Sequence, residues 1–142
     1  MIKTILVASD GSKHAHHAAE KALELAKQLG SDVSITLFHV VSKTISRGEL
    51  IHHNLNIRAM LEGDAHQALM RTELLFKKEN IPFDLQVVMG DPAQEITRKA
   101  NIESYDLVII GSRGLNKMKE LIMGSVSREV AHSVWGPVLI VK

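Results

Sequence analysis

No cysteine occurs in the 142 residues, which excludes a disulfide scaffold, a thiol nucleophile and a thiolate-held metal. Excess charge is missing too. The formal net charge is +1, so no overall field draws the chain onto nucleic acid or an anionic membrane. No apolar run is long enough to span a bilayer. The opening stretch, MIKTILVASDG, breaks at Ser9-Asp10-Gly11 and is too short for the apolar part of a secretory leader. A cytoplasmic protein is the default expectation. The familiar chemical signatures are absent as well: G-x-x-x-x-G-K-[ST], G-x-G-x-x-G, H-E-x-x-H and G-x-S-x-G do not occur.

What is present is an ordinary globular composition, 45% hydrophobic and 23% charged, at a length that suits one domain over residues 1–142. Lys3 to Ala8 reads as a buried strand. From Ser12 the period changes: Ala15, Ala18, Ala19, Ala22, Leu25, Ala26 and Leu29 fall at helical spacing, and Gly30 stands where the helix should end. Val33 to Val41 is a second strand, too continuously apolar for a sheet face open to water. Ser42 to Asn56 lacks a period over its first half and predicts a loop with room for a short helix. Ile57 to Lys78 returns to helical spacing, and Phe83 to Met89 alternates as a peripheral strand does. Asp91-Pro92 opens another helix, with Asp91 as the cap and Pro92 at the first helical position. A strand at Asp106 to Ile110, a helix at Val126 to Val134 and a last strand at Val138 to Val141 complete the chain. Five strands alternating with helical segments predict an α/β fold with a mostly parallel sheet. Its economical strand order is 3-2-1-4-5, with helices on both faces.

In such a sheet, ligands sit beyond the carboxyl ends of the strands, where the winding reverses. Two strands end in unusual chemistry: the first at Ser9-Asp10-Gly11, the fourth at Gly111-Ser112-Arg113-Gly114. The latter continues as Gly111-x2-Gly114-x9-Gly124-Ser125. Glycines let a backbone approach an anion, and a helix start adds unpaired N–H donors and a positive dipole end. This stretch is therefore a candidate phosphate cradle. Amides around Gly114, Gly124, Ser125 and Val126 would face phosphate oxygens, and the Ser125 and Ser127 hydroxyls would donate as well. Arg113 within the turn, and Lys117 and Lys119 from the insert, would neutralise charge. Asp10 suits sugar hydroxyls, a base, or the shell of a magnesium ion.

At these residues the sequence resembles the universal stress protein family over essentially its whole length. The resemblance rests on ILVASDGS, the strand ending in His39-Val40, GDPAQEI, DLVIIGSRG, GSVSREV and GPVLIVK, and on a full match to the Gly-x2-Gly-x9-Gly-Ser/Thr pattern of the family's ATP-binding branch. It implies a Rossmann-like five-stranded sheet, ATP (with or without magnesium) as ligand, and a homodimer. It places adenine near Ala8, Ser9, Asp10 and Val40, ribose by Asp10 and Gly111, and phosphates at Gly114, Gly124, Ser125, Val126 and Ser127.

Other residues carry blander expectations. His14, His16 and His17, like His52 and His53, read as solvated surface histidines rather than metal ligands; His14 and His17 alone share a face. His39 reads as a satisfied strand residue. The methionines at 60, 70 and 89 read as core filler. Met118, Leu121, Ile122 and Met123 read as packing against the loop or sheet rather than as a partner surface. The last strand, if at an edge, offers an open ladder to a second subunit. No general base is evident for water activation. The expected function is an adenine-nucleotide-binding stress-response protein that signals through conformation or partners, without efficient catalysis. The alternatives are a slow magnesium-dependent ATPase and an interaction module with an empty cradle.

Overall fold

A computed structural model of the chain describes residues 1–30, 32–42, 44–114 and 123–142. Its elements run β1 (Thr4–Ala8), α1 (Lys13–Leu29), β2 (Ser34–Val41), α2 (Arg47–His52), α3 (Ile57–Lys78), β3 (Phe83–Met89), α4 (Pro92–Ile102), β4 (Leu107–Gly111), α5 (Ser125–Ser133) and β5 (Val138–Val141). The strands form one five-stranded sheet in the order β3-β2-β1-β4-β5, and every neighbouring pair is parallel. The expected architecture is the one observed.

The period-2 alternation of side chains on the central strands divides the core into two layers. Ile5, Val7, Ile35, Leu37, Leu107 and Ile109 face α1 and α3. Leu6, Ala8, Phe38, Val108 and Ile110 face α4 and α5. Because both faces are covered, the strands carry almost no polar alternation, which is why they read as unbroken apolar runs. The stripe of Ala15, Ala18, Ala19, Ala22 and Ala26 on α1 is buried. Methyl-sized side chains let this helix lie close to β1 and β4, and that closeness matters at the site below.

Each long helix starts on a side-chain cap, of which the sequence reading names Asp91. Ser12 accepts from the Ala15 N–H, Asn56 from Ala59 and Asp91 from Gln94. The Ser42 to Asn56 stretch holds the short α2, capped by Ser46, and buries none of its described residues. It shows no hydrophobic period because it has no buried face to declare.

Two expectations need correction here. His16 is buried, not solvated: its Nδ1 lies 3.0 Å from Thr72 Oγ1 on α3. Met70 and Met89 are exposed, while Met60 alone of the three is core. Glu73 is buried in the α3 stripe and is met by His66, whose Nδ1 lies 2.7 Å from its Oε1.

Burial, followed by the charge of Arg71, holds the His16 imidazole below its ordinary value, against the pull of Glu20. The unfolded chain therefore takes up a proton at this site sooner than the folded one as the pH drops. The associated stability is complete above about pH 6.5 and is lost as pH falls through that value toward the lower folded one. Thermal unfolding at about pH 7.5 and about pH 5.5 checks this. The midpoint falls on acidification, and His16→Gln flattens part of the fall; equal pH dependence in the two chains would contradict it.

Candidate functional site

The crossover between β1 and β4 is where the winding of this sheet reverses, and a cleft of about 580 Å³ opens there beyond the strand ends. Ala8, Ser9, Asp10, Val40, Gly111, Arg113, Gly114, Gly124, Ser125, Val126 and Ser127 all line it. These eleven residues picked out from the sequence thus lie in one cavity, of the size that small-molecule ligands occupy.

The β1 side is shaped by short polar turns. Ser9 continues the ladder, its N–H donating to Phe38 C=O at 3.0 Å, and its carbonyl accepts from His39 Nδ1 at 2.9 Å. A carbonyl can only accept, so His39 carries its proton on Nδ1 and is satisfied, as the sequence suggests. Asp10 Oδ1 accepts from the Ser12 N–H at 2.9 Å, and Ser12 Oγ accepts from the Ala15 N–H at 3.2 Å. These two bonds turn the chain from the strand directly into α1. They also fix the Asp10 carboxylate at the mouth of the cleft.

The glycines on the β4 side have different jobs. A side chain on Gly114 would begin 2.5 Å from Asp10 Oδ2, inside the cleft. One on Gly111 would begin 2.7 Å from the His14 carbonyl carbon and 2.8 Å from the Ala15 nitrogen, in the backbone of α1. Gly111 therefore lets the helix seat against the sheet. Gly114 keeps the cavity open against Asp10.

Ser112, which looks like a spacer in the motif, ties the site together. Its N–H donates to Val141 C=O at 2.7 Å, and its C=O accepts from the Gly124 N–H at 2.7 Å and from Ser127 Oγ at 2.8 Å. Its Oγ lies 3.1 Å from His14 Nδ1. One residue thus joins β4 to β5, to the start of α5 and to the first turn of α1. Ser127 is almost fully buried and its hydroxyl also reaches Gly124 C=O at 3.1 Å, so its proton is committed to the loop. What it offers to a ligand is its backbone N–H.

Gly124 is the N-cap of α5, and no described side chain caps that helix. Its first amides and positive dipole end open on the cleft, the arrangement that favours an anion. Arg113, also in the lining, has a guanidinium nitrogen 3.0 Å from His14 Nε2. The expectation that His14 is a solvated bystander is overturned by these two contacts. Its rings-apart neighbour on the same helix face is His17, at 6.3 Å between centroids.

The sequence reading missed the far wall. Asp64, Gln67 and Ala68 of α3 and Pro92 and Ile96 of α4 also line the cleft. Spacing of four puts Asp64 and Ala68 on one helix face, but only the packing of α3 shows which way that face looks. Lys117 and Lys119, and the Met118, Leu121 and Ile122 cluster, lie outside the described residues. Among the described residues, no group of three or more His, Asp or Glu side chains is placed to hold a metal ion. No described helix is long and apolar enough to cross a membrane.

A family model described as the universal stress protein family matches residues 1–142. The chain belongs to the universal stress protein family. As a member it is 31% identical over 150 residues to universal stress protein YxiE of Bacillus subtilis, the match covering 100% of both chains. It is 29% identical over 157 residues to universal stress protein MJ0577 of Methanocaldococcus jannaschii, covering 100% of this chain and 96% of that one. The solved structure of MJ0577 has the same fold, with a TM-score of 0.78 at 27% identity over 100% of this chain and 96% of its own. The universal stress protein of Archaeoglobus fulgidus, solved in complex with dAMP, shares the fold at 19% identity and a TM-score of 0.69, covering 100% and 98%.

Proposed function

We propose that this universal stress protein holds an adenine nucleotide, ATP, in the cleft between β1 and β4, and that it acts through the bound or empty state rather than by efficient turnover. The observation that carries the proposal is the start of α5, capped by no described side chain and lining with Asp10 a cavity kept open at Gly114. Phosphates would lie at the amides of Gly114, Ser125, Val126 and Ser127 and pass close to the side-chain-free Gly124, whose own N–H is held by the Ser112 carbonyl, with Arg113 as the counter-charge. The ribose hydroxyls would meet Asp10 beside Gly111, and the base would lie against Ala8, Ser9 and Val40. The dAMP in the Archaeoglobus fulgidus protein is consistent with this, but at that identity the likeness supports the fold, and the weight rests on this chain's own residues. A magnesium ion would be carried chiefly by the phosphates, with the Asp10 carboxylate in the cleft wall as a protein-side ligand.

The same proposal extends to assembly. β5 lies at an edge of the sheet and its residues are half-buried. Its open ladder is the surface through which two copies would pair. Native mass spectrometry of the purified chain with added ATP tests both parts. The expected spectrum shows a dimer carrying one nucleotide per chain; a monomer, or a dimer that takes up no nucleotide, would refute the corresponding half.

A further inference from the structure

His14 is chemically unlike its neighbours in the α1 first turn, because both of its ring nitrogens are engaged by the loop that follows β4. Nε2 lies 3.0 Å from an Arg113 guanidinium nitrogen, and Nδ1 lies 3.1 Å from Ser112 Oγ. A guanidinium can only donate, so Nε2 must accept. The proton of the neutral ring then sits on Nδ1 and is donated to Ser112 Oγ. An imidazolium would present an N–H to a guanidinium and has no lone pair to offer it.

We propose that His14 is a positioning residue: its neutral imidazole holds the Arg113 guanidinium at the phosphate end of the cleft. The role rests on the nucleotide-binding reading above. His14 is not in the cleft lining, whereas Arg113 is. The histidine therefore acts from behind, helping to brace a long side chain so that less freedom is lost when an anion arrives. Ser112 completes the brace, since the same residue fixes the start of α5 through its carbonyl.

The electrostatic surroundings agree. Burial first, then the charge of Arg113, then His17 and Lys13 on α1, hold the His14 ring below its ordinary value, while the Val141 carbonyl of β5 pulls the other way. The ring is thus kept in the form that can accept from Arg113. On acidification it protonates, the acceptor is lost, and two cations are left face to face.

The test is calorimetric titration of ATP into wild type, His14→Ala, His14→Gln, Arg113→Ala and the double variant His14→Ala/Arg113→Ala, at pH values spanning the histidine range. His14→Ala is expected to weaken binding about tenfold, the scale of one hydrogen bond to a charged group. Arg113→Ala weakens it at least as much, and the double variant is no weaker than Arg113→Ala alone. His14→Gln keeps an acceptor near the Nε2 position and restores most of the affinity. Wild type loses affinity on acidification more steeply than His14→Gln, whose side chain does not titrate. Wild-type affinity in His14→Ala, or losses that add fully in the double variant, would overturn the positioning role while leaving the nucleotide site standing. A wild-type chain that binds no ATP would remove the nucleotide site itself, and this role with it.

Discussion

Gly114→Val is expected to weaken the proposed adenine-nucleotide binding by at least about 100-fold, while the chain melts within about 5 °C of wild type. The Cβ of any residue at 114 starts 2.5 Å from Asp10 Oδ2. The Asp10 carboxylate has to swing aside, but its other oxygen holds the Ser12 N–H in the turn that starts α1, so it yields only part of the space. The branched side chain must therefore occupy the cleft, in the space proposed for phosphate. The fold survives because the collision is with the end of a side chain at the mouth of the cavity, not with backbone in the core. Calorimetric titration with ATP and a thermal melt on the same sample decide the matter. Wild-type affinity in a normally melting Gly114→Val chain would remove the cradle.

Gly111→Val has the opposite signature, a loss of fold before any loss of ligand. Its Cβ would meet the α1 backbone at 2.7 and 2.8 Å, and backbone atoms cannot rotate away. The helix must lift from β4, and with it the alanine stripe that packs only at close range. Overpacking of a tight contact costs about 1–3 kcal/mol and more when backbone is displaced, so about 3 kcal/mol or more is expected for valine. Gly111→Ala should lose about 1–3 kcal/mol by the same mechanism. Urea unfolding measures both as a lower midpoint at unchanged slope. A wild-type midpoint for Gly111→Ala would show that α1 is not seated on this glycine. Two glycines of one motif, three positions apart, thus answer to different constraints.

The sequence announced the scaffold because its rules are local. Leu107-Val108-Ile109-Ile110 is unbroken because β4 is buried on both faces, and Phe83 to Met89 alternates because β3 is an edge strand. Asp91 and Ser12 cap helices through residues three positions on, which a linear reading can see. Even the meeting of Asp10 with the glycine loop followed from winding rules. What stayed hidden depends on contacts between elements far apart in sequence. His16 and Thr72 meet across 56 positions, and His14 and Arg113 across 99. Nothing periodic marks either pair. Ser112 was passed over because much of its work is done by its peptide group, which every residue type possesses. Met70 and Met89 misled in the other direction, since an apolar side chain is permitted at a surface without any burial signal being broken.

The bond from the Gly124 amide to the Ser112 carbonyl also makes the intervening stretch a handle with both ends bolted to one point. The number of residues between them then has little leverage on the frame, because closure entropy grows slowly with length, by about 0.6 kcal/mol per doubling. A reporter peptide spliced between Gly114 and Gly124 should be accommodated where one spliced into the turn from β1 to α1 would not.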